Sequence, residues 1–186
     1  MNCINWLDNY FKLFKDTIFQ KEIYGDLIRI KDIILNASKT GNKTIFAGNG
    51  GSAAIASHCS VDLTKNAGVR SINFNEASLI TCFSNDYGYE QWLARSIECY
   101  SDKGDVVVFI SSSGKSRNII NAAKKSKEVG LTVITLTGFD SKNELKKLGD
   151  INLWVDSKAY NIIEMTHNIW LLAIVDMIIG KAEYTV

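Results

Sequence analysis

Apolar positions change their spacing near residue 40. Over residues 4–38 they recur every three or four residues, whereas after Lys43 short apolar runs alternate with amphipathic segments. The first pattern is typical of helix, and the second of strands that alternate with helices. The sequence therefore predicts a helical arm over residues 4–38, broken near 20–22 or at Gly25, followed by an α/β unit.

The α/β unit is predicted to contain five strands and five helices. The predicted strands are Thr44–Ala47, Ser71–Phe74, Val106–Ile110, Thr132–Leu136 and Asn152–Val155. The predicted helices lie near 53–66, 77–83, 89–100, 116–128 and 160–179. This alternation indicates a doubly wound parallel sheet with helices on both faces. We therefore expect a single domain over residues 1–186, with its α/β core at 43–180 and with residues 1–40 as an arm used in packing and oligomerisation.

Two predicted strands end in loops rich in glycine and serine. The first strand continues into Gly48-Asn-Gly-Gly-Ser52, and the third continues into Ser111-Ser-Ser-Gly-Lys-Ser116. Each loop precedes a predicted helix, where backbone N–H groups and serine hydroxyls can bind an anion. Because the carboxyl ends of parallel strands lie at one edge of a sheet, we expect both loops to contribute to one site. Two such loops in a small domain indicate a phosphorylated small molecule as ligand.

Other interpretations of these loops remain open at this level. The spacing Gly48-x-Gly50-x-x-Ala53, with Glu76 after the second strand, also fits a loose dinucleotide-binding pattern. A serine-rich loop before a helix can also be an ordinary helix cap. The dinucleotide interpretation leaves the second loop unexplained, so we expect no nucleotide cofactor.

Charge and composition exclude several classes of binding partner and of structural site. The formal net charge is +1, from 21 Lys and Arg against 20 Asp and Glu, which predicts no membrane-binding surface and no direct nucleic-acid partner. The four cysteines form no CxxC pair, so neither a zinc knuckle nor a disulfide framework is indicated. The apolar segment 162–179 contains Glu164, His167 and Asp176, which favours a core helix over a membrane span. We expect a soluble, cytoplasmic protein.

The motifs carry a family resemblance. GNGGS at 48–52, ISSSGKS at 110–116 and Asn85-Asp86-Tyr-Gly88 between them resemble the SIS (sugar isomerase) domain family, and within it the phosphoheptose isomerases. The resemblance extends over nearly the whole chain, including the helical arm. It implies an isomerase that interconverts sedoheptulose 7-phosphate and an aldose heptose 7-phosphate through an enediol. It also implies a role in lipopolysaccharide or capsule biosynthesis and a homotetramer with sites shared between chains.

The resemblance also implies which residues bind the substrate. In the first loop, the sugar or its phosphate would contact Asn49, Gly50, Gly51 and Ser52. In the second loop, the phosphate would be held by Ser111, Ser112, Ser113 and Ser116. The hydroxyl groups of the sugar would contact Asn85 and Asp86.

Proton transfer is where the chain departs from the family pattern. The family typically has a histidine and, four residues later, a glutamate on the helix after the first loop, and this chain has His58 and Asp62. On the late helix it typically has a glutamine and, eight residues on, a histidine, which correspond here to Glu164 and Leu172. Leucine cannot transfer a proton, although aldose–ketose isomerisation requires such a group. Either His167, three residues after Glu164, supplies the acid, or Asp62 moves the proton alone.

Two further expectations follow from these residues. Zinc is a candidate cofactor, with His58, Asp62 and Glu164 as ligands, because nitrogen and oxygen donors of this kind suit a divalent ion. The absence of a histidine at Leu172 keeps a second function open. This alternative is a non-catalytic platform that binds a phosphosugar or a protein, resembling the replication-initiator-associating SIS protein.

Overall fold

The computed structural model describes residues 2–184, and its elements follow the predicted order. The helices are α1 (Cys3–Ile18), α2 (Tyr24–Lys39), α3 (Gly51–Lys65), α4 (Ala77–Tyr87), α5 (Trp92–Tyr100), α6 (Arg117–Glu128) and α7 (Tyr160–Ile179). The strands are β1 (Thr44–Gly48), β2 (Ser71–Asn73), β3 (Val106–Ser111), β4 (Thr132–Thr137) and β5 (Ile151–Trp154). Short 3-10 helices span Lys21–Ile23 and Leu145–Leu148, and the second of these was not predicted.

The sheet places the two glycine-serine loops side by side. All five strands are parallel, in the order β2-β1-β3-β4-β5. Gly48 at the end of β1 lies opposite Ile110 of β3. The chain winds outward in both directions from this central pair, and ligands bind at such a point in open parallel sheets. The predicted doubly wound, five-stranded sheet is confirmed.

Strand β3 supplies both hydrophobic cores. Because successive side chains point to opposite faces of a sheet, Val106, Val108 and Ile110 enter the core beneath α2, α3 and α7. Val107 and Phe109 enter the second core, beneath α5 and α6. Burial on both faces explains why this segment is apolar without alternation in the sequence.

An ion pair lies at the end of the central strand pair opposite the glycine-serine loops, where β1 and β3 begin. Lys43 Nζ lies 2.7 Å from Asp102 and 2.6 Å from the buried Asp105. The Asp105 carboxylate also accepts hydrogen bonds from the backbone N–H groups of Lys43 and Asp102. Burial alone would raise the pKa of Asp105, but these hydrogen bonds outweigh burial and lower it. The start of β1 is thereby held against the start of β3.

The predicted helical arm consists of α1 and α2, which are separated at the predicted break. Helix α1 is attached to α7 by two polar contacts. Thr17 Oγ1 lies 3.0 Å from Thr166 Oγ1, and Trp170 Nε1 donates a hydrogen bond to the carbonyl oxygen of Ile18 at 3.1 Å. Helix α1 leaves several apolar side chains exposed, namely Ile4, Trp6, Leu7, Phe11 and Leu13.

Helix α7 meets the length and composition criteria for a membrane span. In this fold it packs against α1, α2 and α3. Its buried face includes Ile163, Trp170 and Ile174, which belong to the first core. These contacts are those of a core helix.

Candidate functional site

A cavity of about 140 Å³ opens at the carboxyl ends of β1 and β3. It is lined by Asn49, Ser52, Ile110, Ser111, Ser112, Ser113, Ser116, Tyr160 and Glu164. All of these except Ile110 and Tyr160 were predicted as site residues. The structure therefore brings both loops and the late helix together, and the lining contains hydroxyls and one carboxylate but no Lys or Arg among the described residues.

The first loop depends on two glycines for different reasons. Gly50 precedes α3 with φ +55° and ψ −123°, a backbone conformation that residues with a β-carbon avoid. Gly51 begins α3, and a β-carbon at this position would overlap the carboxylate of Glu164. The loop can therefore lie directly against Glu164, while the neighbouring Ser52 is buried in the cavity wall.

The second loop presents serine hydroxyls at the start of α6. Ser116 is the residue before the helix, and its side chain makes no capping hydrogen bond within the described chain. The hydroxyl of Ser112 is buried and likewise has no partner among residues 2–184. Buried polar groups are normally hydrogen-bonded, so these hydroxyls fit an anion that binds beside the N-terminal amides of α6. An ordinary serine cap would instead direct the Ser116 side chain to its own helix.

Glu164 provides the carboxylate of the cavity. It lies on α7, is half-buried, and faces the start of α3 at Gly51. Burial raises the pKa of the Glu164 carboxyl above its ordinary value, because desolvation disfavours the charged form. A carboxylate with a raised pKa is a stronger base, which suits it to accept a proton from carbon.

His167 lies outside the cavity, although it follows Glu164 by three residues. Its side chain is 0% exposed, and its Nε2–H donates a hydrogen bond to the carbonyl oxygen of Thr137 at 3.1 Å. Burial lowers the pKa of His167 to about 4, despite this hydrogen bond. The structure does not bring the imidazole to Glu164, so this arrangement gives no geometric support to the predicted acid role.

His58 and Asp62 form a pair on α3 and do not line the cavity. His58 Nε2 lies 3.2 Å from Asp62 Oδ2, and the His58 side chain is 51% exposed. Over residues 2–184 no group of three or more His, Cys, Asp and Glu side chains is placed to hold a metal. The predicted ligands His58, Asp62 and Glu164 are therefore not brought together by one chain.

The remaining predicted positions also lie away from the cavity. Asn85 and Asp86 are exposed at the end of α4, where Asn85 Nδ2 donates a hydrogen bond to Asp86 Oδ1 at 2.9 Å. Leu172 is half-buried and packs against the first core. One chain therefore brings the two glycine-serine loops and Glu164 together, but it does not bring Asn85 and Asp86 to the same cavity.

Tyr160 is a site residue that the sequence interpretation missed. It begins α7, one turn before Glu164, and lines the cavity. Its ring packs against Phe139, with a centroid distance of 4.8 Å. Phe139 follows β4 in the left-handed region, at φ +51°. The four-residue spacing between Tyr160 and Glu164 was a readable signal, because such residues share a helix face.

Asn118 and Tyr89 were also missed, and both hydrogen-bond to Asn49. Asn118 lies two residues after Ser116, in the first turn of α6. Nothing local in the sequence signals its contact with Asn49, because Asn49 lies in the loop after β1 and Asn118 lies in the first turn of α6, far along the chain.

Comparison with known proteins gives consistent matches. Residues 8–138 match the SIS domain family. The phosphoheptose isomerase of Aliarcobacter butzleri is 38% identical over 76% of this chain and 77% of that protein. The phosphoheptose isomerase of Cytophaga hutchinsonii is 33% identical over 84% of each chain. The solved structure of a phosphoheptose isomerase from Neisseria gonorrhoeae is 27% identical, with a TM-score of 0.85, and the match covers 95% of this chain and 96% of that chain.

Proposed function

Because the chain belongs to the SIS domain family, we propose that it is a phosphosugar isomerase acting on a seven-carbon sugar phosphate. The reaction interconverts sedoheptulose 7-phosphate and an aldose of the D-glycero-D-manno-heptose 7-phosphate type, as a step towards lipopolysaccharide or capsule. The observation that carries the proposal is the cavity in which the serine loop and Glu164 face one another. Relatives named phosphoheptose isomerases, at 33% and 38% identity, support the substrate class.

The phosphate binds at the start of α6. Ser111, Ser112, Ser113 and Ser116 surround it with hydroxyls, and the first-turn amides of the helix direct their N–H groups toward it. No cation is required, since several hydroxyl and amide donors together with the helix N-terminus can hold a phosphate dianion. The sugar then extends toward the first loop, Tyr160 and Glu164.

Glu164 moves the proton in this proposal. The carboxylate removes a proton from C1 of the ketose, the C–H electrons form the C1–C2 double bond of an enediol, and the carbonyl oxygen at C2 takes a proton from solvent water. Return of the first proton from the carboxyl to C2, with loss of the O1 proton to water, gives the aldose. One carboxylate beside both carbons can carry out both transfers, and the raised pKa of Glu164 favours the first of them.

We extend the proposal to a cytoplasmic homotetramer with shared sites. The exposed apolar residues of α1 and a neighbouring apolar groove of about 310 Å³ support an interface between copies. The groove is lined by Ile18, Phe19, Tyr24, Leu27, Ile28, Ile169, Trp170, Ala173 and Met177. In such an assembly the exposed His58, with its half-buried partner Asp62, is available to the site of a neighbouring copy, as are Asn85 and Asp86.

Zinc remains part of the proposal as a predicted cofactor, with His58, Asp62 and Glu164 as the predicted ligands. A single chain does not supply a complete set of zinc ligands, because these three residues form no cluster in the described part of the molecule. No step of the proposed reaction passes through a metal. Metal analysis of the purified protein, before and after dialysis against a chelator, tests this prediction.

The proposed reaction is tested by incubating the purified protein with sedoheptulose 7-phosphate in D2O and recording proton NMR spectra. An isomerase that uses an enediol produces the aldose and introduces deuterium at the reacting carbons. Glu164→Gln is expected to do neither, and Glu22→Gln, which changes an exposed carboxylate of the arm, serves as the matched control. Absence of aldose and of exchange in the wild-type protein, with or without added zinc, contradicts the proposal. Binding without exchange would favour the non-catalytic alternative.

A further inference from the structure

The side-chain amides of Asn49 and Asn118 are joined by two hydrogen bonds. Nδ2 of Asn49 donates to Oδ1 of Asn118 at 3.0 Å, and Nδ2 of Asn118 donates to Oδ1 of Asn49 at 2.9 Å. The two residues are 69 positions apart in the sequence. Asn49 belongs to the loop after β1, and Asn118 belongs to the first turn of α6. The pair therefore ties the first loop to the helix whose start binds the phosphate.

A third hydrogen bond to the Asn49 amide comes from Tyr89. The Tyr89 hydroxyl donates to Oδ1 of Asn49 at 3.3 Å. A carboxamide oxygen accepts two hydrogen bonds, and its NH2 group donates two. Asn118 and Tyr89 together use both acceptor positions of Oδ1. One N–H of Asn49 is used on Asn118, and the other remains for a ligand.

Asn49 lines the cavity, whereas Asn118 does not. Asn118 is 2% exposed, so it can act on a ligand only through a residue that reaches the cavity. A phosphate or sugar oxygen can accept the remaining N–H of Asn49. If the Asn49 amide were rotated, Oδ1 would face that ligand oxygen, and two acceptors would oppose each other.

We propose that Asn118 is a positioning residue of the sugar-phosphate site, which fixes the Asn49 amide so that an N–H group faces the ligand. This inference rests on the proposed function. It predicts that Asn118 affects ligand affinity without touching the ligand, and that its effect disappears when Asn49 has no amide to orient.

Two substitutions of Asn118 test the affinity. Asn118→Leu removes both hydrogen bonds and keeps the same number of side-chain heavy atoms, and Asn118→Asp keeps an acceptor for Asn49 but places a second acceptor opposite Oδ1. Each is expected to weaken binding of sedoheptulose 7-phosphate, measured by titration calorimetry, by about tenfold or more, as for a lost hydrogen bond to a charged group. Asn121 on the same helix donates a hydrogen bond to the carbonyl oxygen of Glu90 at 3.0 Å. Asn121→Leu and Asn121→Asp are the matched controls, with expected changes below about twofold.

Tyr89→Phe provides a variant that does not disturb the core. Tyr89 is exposed, so loss of its hydroxyl removes the third hydrogen bond without opening a cavity. Its expected effect on the affinity is about two- to fivefold, because the Asn118 pair still holds the amide. If Asn118→Leu does not fold, the affinities of Asn118→Asp and Tyr89→Phe are compared with that of the wild-type protein instead. Wild-type affinity in both variants would overturn the proposal.

A double-mutant cycle separates positioning from a merely structural role. The Asn49→Ala/Asn118→Leu double variant is expected to bind sedoheptulose 7-phosphate as weakly as Asn49→Ala alone. Losses that multiply would overturn the proposal, because Asn118 would then act independently of Asn49. A lower melting temperature in Asn118→Leu with wild-type affinity would also overturn it.

The same measurements distinguish this inference from the proposed reaction. Binding without deuterium exchange in the wild-type protein would contradict the isomerase but leave the cycle valid as a test of Asn118. If turnover is present, Asn118→Leu should raise KM and leave kcat within about twofold, as expected for an interaction made equally in the ground and transition states. Wild-type protein that binds neither sedoheptulose 7-phosphate nor inorganic phosphate would overturn both proposals.

Discussion

The carboxylate of Glu164 occupies the space in which a β-carbon of Gly51 would lie. The start of α3 and the first turns of α7 therefore meet through a residue without a side chain. This contact sets the position of the proposed base relative to the first loop. A methyl group added at Gly51 would therefore change the position of the base.

Gly51→Ala is expected to displace Glu164 while leaving the fold intact, because the overlapping atoms are the end of a flexible side chain. Misplacement of a catalytic group by about 1 Å can lower the rate by about 100-fold, so we expect a loss of deuterium exchange of that order. Inhibition by inorganic phosphate should change much less, since the serine loop is untouched.

Gly25→Ala is the control for this substitution. Gly25 lies in α2 with open space around its Cα atom, and its replacement is expected to raise the free energy of unfolding by about 0.4–1 kcal/mol without affecting activity. Deuterium exchange at the wild-type rate in Gly51→Ala would show that the contact does not position the base.

Ser112→Ala should separate binding from stability. The Ser112 hydroxyl is buried without a partner among the described residues, so its removal costs the free protein no hydrogen bond, and the melting temperature should stay equal or rise. Affinity for sedoheptulose 7-phosphate should fall by about 1.5–3 kcal/mol, the contribution of a hydrogen bond to a charged group.

Ser126→Ala provides the comparison for Ser112→Ala. Ser126 is also buried, but its hydroxyl donates to the carbonyl oxygen of Ala122 within α6. Its removal should leave the affinity unchanged. Equal affinities of the two variants for sedoheptulose 7-phosphate would contradict the assignment of Ser112 to the phosphate site.

The pH dependence of kcat/KM should reflect Glu164. Burial raises the pKa of this carboxyl above the ordinary value of 4.5, and the group must be deprotonated to act as the base. Activity should therefore fall as the pH decreases through the raised pKa, with a midpoint above 4.5. An acid limb centred at or below the ordinary value would show that another group titrates.

Glu164→Gln is expected to abolish exchange and to stabilise the fold at neutral pH. Because the folded-state pKa is raised, the carboxyl contributes stability below its unfolded-state pKa and loses that contribution as the pH rises through the folded-state pKa. A neutral amide avoids this loss. Thermal unfolding at pH 7 and at pH 4 checks the sign: the melting temperature of the variant, relative to wild type, should be higher at pH 7 than at pH 4.

The proposed assembly can be tested on α1. Phe11 is 62% exposed, and Phe11→Glu places a charge on the apolar surface expected to contact another copy. The variant should dissociate into smaller species in sedimentation analysis while keeping its far-ultraviolet circular dichroism spectrum. Lys12→Glu, at the neighbouring exposed position, is the control and should keep the wild-type mass. An unchanged mass in both variants would place the interface elsewhere.

The sequence was informative where a signal is local. The apolar run of β3 predicts a strand buried on both faces, and the serines and Gly114 after it predict an anion site at the start of a helix. The 3-10 helix at Leu145–Leu148 was missed because four residues are too few to show a helical period.

The position of His167 could not be obtained in the same way. Three residues advance a helix by about 300°, which leaves His167 about 60° away from Glu164 around α7. A helical wheel places both on one face. The separation of about 60° is nevertheless enough to place Glu164 in the cavity and His167 in the core. The boundary between cavity and core passes between the two side chains at the end of β4, where the imidazole is hydrogen-bonded to the carbonyl oxygen of Thr137. The pairing of Asn49 with Asn118 could not be predicted either, because it depends on β1 and β3 being neighbours in the sheet.

The adjacency of β1 and β3 has a consequence for unfolding. The two loops come from distant parts of the sequence and meet only when this strand pair has formed. A ligand that bridges them binds the native chain and not a chain in which the pair has opened, so it shifts the opening equilibrium by mass action. Amide protons of β1 and β3 are therefore expected to exchange with deuterated solvent more slowly in the presence of sedoheptulose 7-phosphate, whereas those at the start of α1 should exchange at an unchanged rate.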